Sequence, residues 1–267
     1  MSSLTLSLVQ TSLFWENKQA NLNMLEEKIM GIKEKTEIVI LPEMFSTGFS
    51  MKPESLAESM DGETVNWMKR VSANRKIVLT GSVMISEEGN FYNRLIWVLP
   101  NGQLGYYDKR HLFAYGEEDK HYSPGQKRFI ASVKGWKILL LVCYDLRFPV
   151  WSRQQSPIDA VERNPEYDLI IYVANWPERR NHAWKTLLQA RAIENQCYVA
   201  GVNRVGEDGT GIVHSGDSML VGPLGEVIFS EANNETIFTH TIQREDLDAI
   251  RNKLPFLKDG DDFIIQH

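Results

Sequence analysis

One of the two cysteines in this 267-residue chain, Cys143, ends the apolar run KILLLVC (137–143) and is followed at once by the charged stretch YDLR. A cysteine is ordinarily a small buried hydrophobe with no chemical task. Its place argues otherwise, because reactive groups in open α/β sheets gather just beyond the carboxyl ends of strands. A nucleophile on a tight strand-to-helix turn is exposed, and the backbone N–H groups after it point at the reacting centre. Cys197 instead begins the apolar stretch CYVAGVN and reads as core. A thiol attacks as the thiolate and needs a base. The histidines are His111, His121, His182, His214, His240 and His267. His111 lies near a candidate site, but none stands at a strand end facing Cys143, so a Cys–His dyad lacks support. Two other charges are better placed. VILPEMF (39–45) puts Glu43 directly after a buried strand, and YYDKRHLF (106–113) puts Lys109 where another strand runs out. A solvated loop charge explains either one alone. Burying such a charge costs desolvation unless it is paired, and three reactive groups at three strand ends are harder to dismiss together.

Further candidates surround this set. PERRN (177–181) follows a strand with Arg179 and Arg180, either a solvated pair or an anchor for a carboxylate. Phe45, Phe113, Tyr115, Tyr122 and Trp176 could wall a small pocket, although each alone reads as core. Tyr115 or Tyr122 could add a hydroxyl. The glycine-rich GEDGTGIVHSG (206–216) does not join a first strand to a helix, so it reads as an ordinary loop and not as a phosphate cradle.

The elements that must position these residues alternate. LTLSLVQ (4–10) alternates apolar and polar residues as a half-buried strand does. Leu22, Leu25, Ile29 and Ile32 form a helical stripe within 16–34. Strands are expected at 37–41 and 76–83, with a helix at 62–74 between them. A hairpin over 93–109 turns at Asn101-Gly102. Buried strands follow at 137–143 and 168–174. The prolines Pro149, Pro157 and Pro165 keep any helix in 148–166 short. A helix at 182–195, a strand at 197–203, a run of turn-linked strands and a last helix at 244–253 complete the chain. No linker interrupts the alternation, so one α/β domain over 1–267 is expected. Its Val/Ile/Leu runs suggest strands covered on both faces.

Composition narrows the partners. The 29 basic and 35 acidic side chains give a net charge of −6, which argues against nucleic acid or an anionic membrane. The N-terminus reads as a strand and not as a signal peptide, and no apolar run approaches the ~20 residues of a bilayer span. Two cysteines make no disulfide framework, which suits a reducing cytoplasm.

Glu43, Lys109 and Cys143 form the constellation of the nitrilase superfamily, the carbon–nitrogen hydrolases, which this chain resembles over essentially its whole length. The likeness rests on LPEMFSTGF, YDKRHLF and VCYDLRFP. It continues through ANWP, LLQARAIENQCYVAGVNRVG and HSGDSMLVGPLGEV. Within the superfamily, YDKRHLF and CYDLRFPVWSR are most similar to the ω-amidases, which hydrolyse the terminal amide of 2-oxoglutaramate and related monoamides. The resemblance implies a four-layer αββα sandwich and at least a homodimer, with a helix after the nucleophile strand at the interface. It implies a small-molecule amide substrate and no metal or organic cofactor. It implies that Glu43 is the general base, that Cys143 attacks the amide carbonyl, and that Lys109 and the backbone N–H of Tyr144 stabilise the oxyanion. The family's second glutamate falls in AYGEEDKHYSPG. Spacing to SPG favours Glu118, while the GE wording favours Glu117; Glu118 is chosen. The substrate-binding set is Tyr144, Trp176, Arg179, Arg180 and Tyr115. Another amide or carbamoyl hydrolase of the superfamily is the rival reading, and a catalytically silent binding protein the remote one.

Overall fold

The structure is a computed structural model that describes residues 2–155 and 164–265. Its strands, in chain order, are β1 (Ser3–Gln10), β2 (Ile38–Ile40), β3 (Val78–Glu87), β4 (Asn90–Val98), β5 (Leu104–Asp108), β6 (Ile130–Val133), β7 (Trp136–Val142), β8 (Leu169–Ala174), β9 (Tyr198–Asn203), β10 (Val205–Glu207), β11 (Val213–Val221), β12 (Val227–Ala232) and β13 (Thr236–Gln243). The helices are α1 (Lys18–Met30), α2 (Pro53–Leu56), α3 (Glu63–Arg75), α4 (Glu118–His121), α5 (Pro149–Ser152), α6 (Asn181–Asn195) and α7 (Arg244–Lys253). One sheet runs β13-β1-β2-β3-β4-β5, and the other runs β10-β11-β9-β8-β7-β6 with β12 beside β11.

The alternation in β1 explains how the layers stack. Leu4, Leu6 and Leu8 face one way and join Ile38, Ile40 and Trp97 in a core shared with Ile138, Leu140 and Ile171 of the second sheet. Val9, Val39 and Leu41 face the other way, onto Leu22, Leu25 and Ile29 of α1 and Val65, Met68 and Val71 of α3. Trp184 and Leu188 of α6 cover the second sheet from outside, and so close that Cβ atoms on Gly201 of β9 would collide with both. The order is helix, sheet, sheet, helix, so the αββα sandwich is present.

Two elements differ from the sequence expectation. The third strand runs on to Glu87 and forms a hairpin with β4 through Glu88-Gly89, both at positive φ (49° and 78°). β6 is an added edge strand that turns into β7 at Lys134-Gly135 (φ 49° and 81°). The glycine-rich segment is the β10–β11 hairpin. The proline-bearing segment supplies only the single turn of α5, and the expectation for 156–163 lies outside the described residues. Among the described residues no helix is long and apolar enough to cross a membrane.

Candidate active site

Parallel strands in both sheets aim their carboxyl ends at one place. Glu43 follows β2, Lys109 follows β5 and Cys143 follows β7. The Lys109 ammonium lies 2.9 Å from Glu43 Oε1 and 2.9 and 3.1 Å from the two oxygens of Glu118. Both glutamates are fully buried and Lys109 nearly so. A cluster of this kind persists in an interior only if every lone pair and proton is matched. Glu43 Oε2 accepts the backbone N–H of Asn175 at 2.7 Å, and Glu118 Oε2 accepts that of Phe113 at 2.7 Å. Asn93 Nδ2 donates to both glutamates, at 2.8 and 3.1 Å.

The protonation states follow from these contacts. Burial and then the nearby Glu43 carboxylate push the Cys143 thiol well above its ordinary value, so the resting group is the neutral thiol. Burial alone would lower Lys109, but Glu118 and Glu43 outweigh it and hold the ammonium charged. Burial raises the Glu118 carboxyl, Lys109 opposes that, and Glu43 adds to it.

Cys143 has φ +43°, the left-handed region, and opens a 3₁₀ turn, Cys143–Arg147. A non-glycine residue held there carries strain that the surroundings must enforce. Asp145, buried, supplies the restraint. Its Oδ2 accepts the Val142 N–H at 3.0 Å and the Tyr107 hydroxyl at 2.8 Å, and its Oδ1 accepts the His111 backbone N–H at 3.0 Å. His111 Nδ1 sits 2.8 Å from the same oxygen, and its ring stacks on Phe148 at 3.8 Å. His111 thus braces the nucleophile turn. Cys197 is completely buried in the core.

A cavity of about 190 Å³ ends on Glu43, Lys109 and Cys143. Phe49, Phe113, Tyr115, Tyr144 and Trp176 line it, with Asn175, Arg147, Arg179 and Arg180. Arg147 lies over the Trp176 ring (4.9 Å) and Arg180 over the Phe113 ring (5.2 Å). None of the three arginines forms an ion pair with a carboxylate among the described residues. Burial and then the neighbouring Arg179 push the Arg180 guanidinium below its ordinary value. A larger cleft of about 580 Å³ beside Gln154 and Ile264 shares no lining residue with this cavity.

Two expected wall residues lie elsewhere. Phe45 is fully buried against Trp67 behind the first sheet, and the Tyr122 hydroxyl donates to the Ser50 carbonyl while its ring packs on Met44 and Met84. Of the paired glutamates, Glu118 reaches Lys109, whereas Glu117 points to solvent and pairs with Lys120 at 2.5 Å. Phe49, Arg147, Asn93 and Asn175 were not singled out in the sequence. Arg147 stands one 3₁₀ turn from Cys143 and could have been found from that spacing, whereas the two asparagines carry no charge that would mark them.

The comparisons agree with this geometry. A family model described as carbon-nitrogen hydrolase matches residues 5–252. The chain belongs to the carbon–nitrogen hydrolase family. This hydrolase is 42% identical over 264 residues to "Omega-amidase YafV" of Escherichia coli (strain K12), covering 98% of this chain and 99% of that one. It is 28% identical over 258 residues to "2-oxoglutaramate amidase" of Bacillus subtilis (strain 168), covering 96% of each. The solved structure of XC1258 from Xanthomonas campestris, a CN-hydrolase superfamily protein with an arsenic adduct in its active site, is 42% identical and superposes with a TM-score of 0.96 over the whole of both chains.

Proposed function

We propose that this carbon–nitrogen hydrolase is an ω-amidase that cleaves the terminal amide of short dicarboxylate monoamides, 2-oxoglutaramate first and 2-oxosuccinamate close behind. The observation that carries the reading is that Arg147, Arg179 and Arg180, none ion-paired among the described residues, line a cavity of about 190 Å³ that ends on a cysteine, against the carboxylates of Glu43 and Asp208. Three arginines gathered in a small pocket with no ion pair among the described residues suit an anionic ligand. The likeness to proteins named for this activity supports the same substrate.

In this reading the amide carbonyl lies against Cys143 and the carboxylate of the other end lies among Arg147, Arg179 and Arg180, with Tyr115 and Trp176 along the chain between. Glu43 takes the thiol proton as Sγ bonds to the carbonyl carbon, which avoids forming a free buried thiolate. Lys109 and the Tyr144 backbone N–H stabilise the oxyanion. Glu43 returns the proton to the departing ammonia. A water deprotonated by Glu43 then cleaves the thioester, giving the acid and the free thiol. Glu118 holds Lys109 in place.

The test is ammonia release from 2-oxoglutaramate, N-carbamoyl-putrescine, propionamide and an aliphatic nitrile under one set of conditions. The oxo acid should give the highest kcat/KM. A carbamoyl amine should be poor, since its cation meets three guanidiniums. If the carbamoyl amine or propionamide led, the substrate assignment would be wrong while the Glu–Lys–Cys chemistry could stand. The proposal includes a homodimer, in line with the apolar Val150 and Ile193 exposed on α5 and α6. A monomeric mass in light scattering would contradict it. It also includes a cytoplasmic location, in line with two free cysteines.

A further inference from the structure

We propose that Asn93 is a positioning residue that holds the two glutamates aligned around Lys109; the inference rests on the reading of Glu43 as the general base. Asn93 is fully buried on β4. Its single amide nitrogen carries two hydrogens, and one goes to each carboxylate, at 2.8 Å to Glu43 Oε1 and 3.1 Å to Glu118 Oε1. Its backbone carbonyl accepts the N–H of Lys109 at 3.0 Å. One residue therefore touches both carboxylates through its side chain and fixes the backbone of Lys109, whose ammonium pairs with the same two carboxylates. The amide orientation is settled by its surroundings, because the reverse would set a carbonyl oxygen against two carboxylates.

The strand explains why this side chain faces the cluster. Successive side chains alternate, and the next residue, Arg94, turns the other way to Asp108 (2.7 Å) and Glu87 (2.8 Å). Charge explains why an amide is suited to the place. Two carboxylates share one ammonium, so the cluster holds an excess negative charge in an interior that penalises it. An amide donates to both without adding charge. An aspartate would add a third acid, and an alanine would leave each carboxylate one donor short. The titratable groups at Asn93 are Glu43 after β2 and Glu118 on α4, which its side chain contacts, and Lys109 after β5, which pairs with both. Tyr122 at the end of α4 is held neutral by burial and then by Glu118.

Hydrogen bonds to the ionised form of a carboxyl lower its pKa, so removing these raises it. A base that protonates at higher pH moves the acid limb of the rate profile upward. Asn93→Ala should shift the acid limb of kcat/KM up by about one pH unit and lower kcat/KM at neutral pH by roughly 10–100-fold, with KM changed less than kcat. Asn93→Asp, nearly the same shape, should do at least as much, and Asn93→Ser, which keeps one donor, less. With Glu118→Gln in the background, Asn93→Ala should cost less than in the wild type, because one acceptor of the pair has lost its charge. If the alanine variant fails to fold, the aspartate variant carries the test. An unmoved acid limb in a folded Asn93→Ala or Asn93→Asp protein, with lowered thermal stability alone, would reduce Asn93 to a structural residue. Glu43→Gln separates the two levels. If it kept wild-type turnover, the base assignment would fall and this inference with it; if it were inactive while the Asn93 variants kept a wild-type profile, this inference alone would fall.

Discussion

At the scale of the residue, the chemistry depends on a thiol that is neutral at rest beside a carboxylate. Cys143→Ala should abolish turnover and leave the fold intact, while Cys197→Ala should keep most activity. Iodoacetamide should label Cys143 before the fully buried Cys197, slowly near neutrality and faster as pH rises, because the Cys143 thiol is pushed up. Substrate should protect it. Equal labelling of both cysteines without loss of activity would refute the nucleophile. Lys109→Met should cost on the order of a hundredfold or more in kcat by loss of an oxyanion donor. It should also lower the melting temperature, since Glu43 and Glu118 would be left buried without their cation, a change worth about 3–5 kcal/mol. A Lys109→Met protein as stable and active as wild type would refute both statements. Glu43, Lys109 and Cys143 were legible in the sequence because each is a reactive type at the end of an apolar run. Asn93 and Asn175 were not, because a neutral amide inside or after a strand looks the same whether it faces a carboxylate or a turn.

At the scale of the element, β and α segments with one apolar face were readable from periodicity, and α7 begins and ends where its pattern does. The long contacts that lock α7 to the second sheet were not. Asp168, just before β8, accepts Arg244 at 2.7 Å, Arg251 at 2.9 Å and the Lys137 N–H at 2.9 Å. These partners are far apart along the chain, and no local pattern connects them. Burial alone would raise the Asp168 carboxyl, but Arg244, the Lys137 N–H and Arg251 hold it below its ordinary 3.8. A depressed pKa gives stability that is complete above the unfolded value and lost as pH falls through the folded one. Asp168→Asn should therefore cost about 2–4 kcal/mol at neutral pH, with two partly covered arginines left unpaired. The difference from wild type should shrink below about pH 3.8 as the wild-type carboxyl takes up its proton. Urea titrations across pH measure this, and a penalty that does not change with pH would show that the charge is not its source. The missed β3–β4 hairpin has the opposite lesson. Its turn, Glu88-Gly89, was available in the sequence, but the expected strand stopped at Val83, before the polar end that reaches the surface.

At the scale of the whole molecule, the layered architecture was legible because Val/Ile/Leu runs demand cover on both faces, whereas the sign of the pocket was hidden by the net charge. The count of −6 describes the surface as a whole and says nothing of Arg147, Arg179 and Arg180, which come together only through the turns after β7 and β8. Magnitudes decide which field an anionic substrate feels. A net charge of −6 at about 25 Å in water repels a single anion by about 1 kcal/mol before screening. One guanidinium at about 4 Å in a partly desolvated pocket attracts it by about 4 kcal/mol before desolvation. Salt erases the first term quickly, since the Debye length is only about 8 Å at 0.15 M, and weakens the second more slowly. Raising sodium chloride from about 0.05 to about 0.5 M should therefore raise KM for 2-oxoglutaramate a few-fold, roughly 3–5-fold, with kcat held, the pattern of weakened uniform binding. Propionamide, which brings no charge, should show no salt dependence. Arg147→Gln, Arg179→Gln or Arg180→Gln should raise KM for the anion and flatten its salt curve, and the variant that does so most strongly marks the guanidinium nearest the carboxylate. A KM that fell with salt would mean that the distant charge dominates and that the arginines do not hold the substrate.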